Sequence, residues 1–343
     1  MSLKQKNEIS IWAFKDGKKG HEKQTEALIY EFKKSKKISV LTIDCEKSNF
    51  INTLNAYFKG LPSMEIDEAT DNWVLQDFNI TSGMTPFGPY PDLLIGAGSK
   101  THLQILLSKK LFPNAKSIVL MKPSLKPVQL FDFAVVPHFD RFYLNQPTNV
   151  LSTNGVLSKY AHQEVEKKTG LAVIGGESRH YHFRPKILSR QIELIVNEFF
   201  KDFKWKITTS PRSPNLDLPK HKSNAKFYSW KDTSQDWLSN EMKKSEVTFL
   251  TPESVSVLYE ALSTRTKTYV FDQELFSNGQ YGPRKTKVTK NIDHLKKTGA
   301  IGFISSKRNL LSRSIKTADI KHPNNRQPLC EVKDVAIKLL DLL

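Results

Sequence analysis

Cysteine is nearly absent from this chain, with Cys45 and Cys330 the only two among 343 residues. Two thiols this far apart make neither a disulfide framework nor a zinc cluster, and the expected setting is a reducing cytoplasm. No run approaches the ~20 consecutive apolar residues of a membrane-spanning helix. The opening MSLKQKNEIS holds no apolar segment of the secretory type, so no secretory signal is expected. Basic tails, zinc fingers and the usual aromatic RNA-binding motifs are missing, and nucleic acid is not an expected partner. The phosphate-loop signature G-x-x-x-x-G-K-[ST] is also missing. GAGSKT, from Gly96 to Thr101, resembles only its tail, and as a dinucleotide fingerprint the same stretch lacks a third glycine. There is no D-x-D pair to hold a metal–diphosphate, and no metal site is expected.

Positive charge is abundant. The formal net charge is +17, which favours anionic partners such as a phosphorylated substrate or an anionic membrane face. The lysines are spread in small groups such as FKKSKK and EKK, which is also how an ordinary solvated surface looks. With 38% hydrophobic residues, the length suits a globular protein of two domains.

Apolar, β-branched runs alternate with segments of helical period. Strands are expected at ISIWAF (9–14), ISVLTI (38–43), PDLLIGA (91–97), SIVLM (117–121) and FDFAVVP (131–137). A second series runs through GLAVIGG (170–176), KWKITTS (204–210), KFYSW (226–230), VTFLT (247–251), KTYVFD (267–272) and AIGFI (300–304). Short continuous apolar strands separated by helices imply parallel sheets buried on both faces. The expected fold is α/β, with two Rossmann-like doubly wound domains facing a cleft, residues 1–160 and 168–325, and a terminal helix over 326–343. Polar, turn-rich sequence over 145–170 reads as the linker, and part of 59–91 as a surface insertion.

Three loops can carry chemistry. The first, Asp16-Gly17-Lys18-Lys19-Gly20-His21, joins the first strand to a helix expected to begin near Glu22. Backbone amides at such a helix start, with the helix dipole, suit an anion, and His21 would sit in the first turn as a general base or oxyanion partner. The second, VIGGESRHYHF, presents Gly175, Gly176, Ser178 and Arg179 as a diphosphate cradle. Its His180-x-His182 is a weak metal signal without a third ligand. The third, TPESVSVLYEA, places Ser254 at a helix start and Glu260 one to two turns on, where a carboxylate can take ribose hydroxyls. Each loop alone also reads as an ordinary turn or capped helix.

In order along the chain, WAFKDGKKGHEKQTEAL, PDLLIGAGSKTH, FDFAVVPHFD, NVLSTNG, AVIGGESRHYHF, TTSPRSP and TPESVSVLYEA resemble the mitochondrial-fission-ELM-type family. That family is named for plant members and is widespread in Gram-negative bacteria. The arrangement is further similar to GT-B glycosyltransferases that move N-acetylglucosamine onto a lipid-linked precursor. The resemblance implies a nucleotide-sugar donor, a substrate and not a cofactor, held by Gly175, Gly176, Ser178, Arg179, Arg212, Ser254 and Glu260. It implies an acceptor on the first domain near Gly17, Lys18, Gly20, Gly98 and Ser99, with His21 or Asp16 as the base. No metal or cofactor is implied. The acceptor would be a lipopolysaccharide or another lipid-linked glycan precursor, and the enzyme would lie cytoplasmic and peripheral to an anionic inner membrane. A nucleotide-sugar epimerase or hydrolase and a non-enzymatic adaptor are the alternatives. Three positions depart from the family pattern: Glu253 stands where T-x-D-S has aspartate, Arg265 where glycine is usual, and Arg212 is alone where arginines often pair.

Overall fold

The computed structural model describes residues 6–45, 79–80, 90–123, 127–140, 142, 146–214, 223–277, 283–309, 314–325 and 327–343. Most of the insertion expected over 59–91 lies outside the described residues. The chain divides into two compact units, Met1–Lys159 with Cys330–Leu343, and Tyr160–Leu329.

In the first unit the chain runs β1 (Glu8–Lys15), α1 (Lys19–Phe32), β2 (Lys37–Asp44), β3 (Asn79–Ile80), β4 (Leu93–Ala97), α2 (Ser99–Leu111), β5 (Lys116–Leu120), β6 (Phe133–Pro137) and β7 (Val150–Thr153). The sheet order is β3-β2-β1-β4-β5-β6-β7, parallel except for the short antiparallel β3. Every residue of β4 is buried, as the continuous run LLIGA requires of a central parallel strand. Phe14, Ile43, Leu94, Ile105, Val119 and Val136 pack one core from strands and α2 together. Each fully buried Leu or Ile stabilises the unit by roughly 1.5–3 kcal/mol relative to exposure. The terminal helix α7 (Glu331–Leu342) belongs to this unit and packs on α1. Its first residue, Glu331, accepts hydrogen bonds from Gly155 N (2.9 Å) and Asn154 Nδ2 (2.7 Å), tying the helix start to the turn after β7.

The second unit repeats the plan: β8 (Glu166–Val173), α3 (Pro185–Leu194), β9 (Lys204–Thr208), β10 (Ala225–Tyr228), α4 (Trp237–Lys244), β11 (Ser245–Leu250), α5 (Val255–Leu262), β12 (Lys267–Val270), α6 (Lys287–Lys297), β13 (Gly302–Arg308) and β14 (Ile315–Lys321). Its sheet order is β10-β9-β8-β11-β12-β13-β14, with β14 alone antiparallel. The core is aromatic: Phe249 stacks on Tyr269 with ring centroids 4.6 Å apart, and Trp205 and Phe200 close around them. Three features differ from the sequence expectation. Strand β7 lies within the segment read as linker, β8 begins at Glu166, and β14 follows β13 as an edge strand.

In both sheets the strand order reverses beside the first strand, between β1 and β4 and between β8 and β11. Loops leaving the carboxyl ends of those strands diverge there, and open α/β sheets bind ligands at that point.

Candidate functional site

At the first switch point, β1 delivers Asp16 and the start of α1 delivers His21. Helix α1 begins at Lys19, earlier than expected, so Gly20 lies inside its first turn and His21 with it. The Gly20 carbonyl accepts from Gln24 Nε2 at 3.2 Å. Asp16 is only 3% exposed. Its Oδ2 lies 2.8 Å from His21 Nδ1, and its Oδ1 accepts from the backbone amide of Lys18 at 3.1 Å. Burial alone would raise the Asp16 carboxyl, but the hydrogen bond and charge of His21, with the Lys18 amide, hold it below its ordinary value. The carboxylate therefore orients the imidazole and leaves Nε2 as the nitrogen for a substrate. That is the geometry of a base with its orienting group.

Gly98 completes this cluster. It follows β4 with φ +92°, and a Cβ there would fall 2.3 Å from His21 Nδ1 and 2.5 Å from Asp16 Oδ2. Only glycine permits both the backbone angle and the approach. Ser99 opens α2, and the Gly98 carbonyl accepts from Thr101 Oγ1 at 2.8 Å. The structure thus brings Asp16, Gly17, Lys18, His21, Gly98 and Ser99 together, and adds His102, which sequence reasoning passed over. His102 is buried, with neither ring nitrogen hydrogen-bonded, and its ring packs edge-on to Phe131. Burial, reinforced by the charge of His21, pushes its pKa down to about 4. No local sequence signal marks it.

At the second switch point, Gly175 N donates to Thr251 Oγ1 at 2.7 Å and Gly176 N to Glu253 Oε1 at 3.1 Å. A Cβ on Gly175 would meet Glu253 Oε1 at 1.6 Å, and one on Gly176 the Arg212 carbonyl at 2.0 Å. Ser213 Oγ lies 2.8 Å from the Ile174 carbonyl and 2.5 Å from that of Gly175, so the SPRSP turn braces the glycine turn from below. Gly175, Gly176 and the Arg212 backbone therefore meet at one turn, but both glycine amides, expected to cradle a diphosphate, are already given to Thr251 and Glu253.

The other second-unit residues are dispersed. Ser178 Oγ accepts the backbone amides of His180 and Tyr181, both at 3.2 Å, which shapes its own turn and leaves the hydroxyl proton to give. Arg179 is exposed. Ser254 is the N-cap of α5 and makes no side-chain capping bond. Glu260 lies two turns on and accepts a hydrogen bond from Ser239 of α4. His180 Nδ1 lies 2.9 Å from Thr286 Oγ1, while His182 packs against Phe276, so the two histidines point to different partners. Among the described residues, no three His, Cys, Asp or Glu side chains group in a way that can hold a metal ion. Arg265, where the family pattern has glycine, pairs with Glu164.

Two Rossmann-like units in one chain, each with its glycine turn at the switch point, define the GT-B class of fold. The profile of the mitochondrial fission ELM1 family matches residues 19–343, and the chain belongs to that family. Among solved structures, a UDP-glucosyltransferase from Polygonum tinctorium capable of glucosylating indoxyl is similar at a TM-score of 0.51 and 8% identity, covering 90% of this chain and 86% of its own. The UDP-GlcNAc 2-epimerase of Methanocaldococcus jannaschii has a TM-score of 0.46 and 12% identity, covering 98% of this chain and 100% of its own. The calicheamicin glycosyltransferase CalG4 has a TM-score of 0.45 and 8% identity, covering 86% and 84%. No curated protein sequence matches the chain. No helix among the described residues is long and apolar enough to cross a membrane.

Proposed function

We propose that this protein is a GT-B-type glycosyltransferase that takes a sugar from a nucleotide-sugar donor and transfers it to a lipid-linked or lipopolysaccharide acceptor in cell-envelope assembly. The observation that carries the reading is the Asp16–His21 pair, 2.8 Å apart and roofed by Gly98 at the first unit's switch point. A base of this kind has a task in sugar transfer, the removal of a proton from the attacking acceptor hydroxyl. Ser178, Arg179, Arg212 and Ser254, carried by separate loops at the second switch point, would hold the leaving diphosphate. Glu260 would take the donor ribose.

In this mechanism His21 Nε2 accepts the acceptor proton as the hydroxyl oxygen forms its bond to the sugar's anomeric carbon. The bond from that carbon to the diphosphate breaks, and the diphosphate leaves with the electron pair. The α5 dipole, the Ser178 hydroxyl and the arginines would stabilise the developing charge, so the step needs no metal. The net charge of +17 would hold the protein against anionic lipid, at roughly 1 kcal/mol per well-placed Lys or Arg.

The test is transfer of labelled sugar from a panel of nucleotide sugars into lipid extracted from Gram-negative envelopes, in the presence of EDTA. Label should enter the lipid phase with the wild type and not with His21→Ala. Strict dependence on added Mg²⁺ would contradict the mechanism, and equal transfer by His21→Ala would remove the base.

A further inference from the structure

Glu253 is the polar side chain at the second switch point that its protein neighbours leave incomplete. It immediately precedes the N-cap of α5 and is 7% exposed. Its Oε1 accepts from Gly176 N (3.1 Å) and Thr251 Oγ1 (3.0 Å), while its Oε2 is buried with no partner. A Cβ on Gly175 would fall 1.6 Å from Glu253 Oε1, so the carboxyl lies directly on the glycine turn. A buried carboxylate oxygen without a donor is costly. Burial raises the Glu253 carboxyl above its ordinary value, with its own amide, the Thr251 hydroxyl, Arg212 and the Gly176 amide offsetting only part. A protonated Oε2 has a hydrogen to give and no protein acceptor to receive it. The partner missing from the protonated form is an acceptor, beside the start of α5, where the helix dipole suits an anion.

We propose that Glu253 is a ligand-contacting residue of this turn, which as a neutral carboxylic acid donates an Oε2–H hydrogen bond to a phosphoryl oxygen of the bound nucleotide sugar. The inference rests on the donor-site reading above and adds to it one residue and one proton. Ionised, Glu253 would set a negative charge against the diphosphate, so protonation and binding favour each other. Where the free protein is ionised at Glu253, binding takes up one proton from solvent onto Oε2, and no covalent bond changes. Among the described residues, the charged and titratable groups facing Glu253 are Arg212, after β9, and Tyr181, whose phenol also feels Asp293 of α6. Burial raises the Tyr181 phenol, so it stays neutral near pH 7. Glu253 is then the member of the group whose charge changes.

The test measures equilibrium binding of UDP-, GDP- and ADP-sugars, diesters whose phosphates do not titrate near neutrality, from pH 5.5 to 8.5. Wild type is compared with Glu253→Gln, which keeps an oxygen for the Gly176 amide and offers a donor that does not titrate. Wild-type affinity should fall with rising pH, by up to tenfold per pH unit, with proton uptake visible by calorimetry in buffers of different ionisation heat. Glu253→Gln should lose the slope and bind at least as tightly as wild type at pH 8.5. A sugar nucleotide that binds wild type with no slope, or with the same slope in Glu253→Gln, overturns the inference and leaves the donor site standing. A panel in which nothing binds either form removes both. Melting supplies a readout without ligand. A raised carboxyl pKa means the folded state holds the extra proton, so wild type should lose stability relative to Glu253→Gln as pH rises above the unfolded value of 4.5. Parallel melting curves across pH would also overturn the inference.

Discussion

Replacing Gly98 by alanine tests the first unit's switch point at its tightest contact. The substitution asks an L-residue to adopt φ +92° and ψ 153°, a region essentially reserved for glycine, at about 1–3 kcal/mol. It also places a methyl group 2.3 Å from His21 Nδ1 and 2.5 Å from Asp16 Oδ2. Both atoms belong to the pair itself, and Asp16 is too buried to retreat without losing a hydrogen bond. The pair must part or the β4–α2 turn must shift, and either adds to the backbone cost, so about 2 kcal/mol is a lower estimate. At roughly 2–4 °C per kcal/mol for a unit of this size, the melting midpoint should fall by about 4 °C or more. Transfer activity should drop with it, because the imidazole loses its orienting carboxylate. Calorimetry of wild type, Gly98→Ala and Ser99→Ala provides the comparison, with Ser99→Ala expected within about 0.5 kcal/mol of wild type. A Gly98→Ala protein that melts with wild type and keeps its activity would refute the packing of Gly98 against the Asp16–His21 pair.

Further outcomes follow from the same geometry. His102 binds its proton less readily folded, at about pH 4, than unfolded, near 6.5, so stability should fall as pH drops through that window. The loss amounts to about 3 kcal/mol and should be absent from His102→Leu, as acid-dependent denaturation would show. The Asp16 carboxyl is depressed, so its contribution is present above the unfolded value of 3.8 and lost as pH falls below it. Asp16→Asn should lack that acid-dependent loss in the same titration. Gly175→Ala forces a methyl group onto Glu253 Oε1 and should lose about 1–3 kcal/mol of stability together with nucleotide-sugar binding, measured by melting and by equilibrium binding.

The central strands were legible because burial on both faces leaves its mark directly in sequence, as continuous runs such as LLIGA and SIVLM. Edges were not. Strand β7 is four residues long, VLST, amid turn-forming neighbours, and β14 alternates exposed Lys and Thr with half-buried residues, so neither carries a hydrophobic run. Helix α1 starts at Lys19 although Gly20 is a poor helix former and Lys18 caps nothing, because tertiary packing of the helix overrides propensity. The glycine turns could be named from sequence, but their reasons are long-range. Gly98 is glycine because of atoms on the β1 loop, and Gly175 because of a carboxylate on the β11 loop. Glu253 reads in sequence as an ordinary acidic residue at a helix start, and only its burial reveals the incomplete oxygen. Ser178 illustrates the reverse, a residue singled out for ligand chemistry whose oxygen first serves its own turn.

The central claim is that the second unit binds a nucleotide sugar, and the most direct measurement is a thermal-shift panel of UDP, GDP, CMP and ADP compounds with and without EDTA. One base class should raise the melting midpoint, corresponding to about 2.7 kcal/mol at 100 times the dissociation constant. The shift should survive EDTA and be lost in Glu260→Ala. A flat panel for the wild-type protein would contradict the account and favour a non-catalytic adaptor.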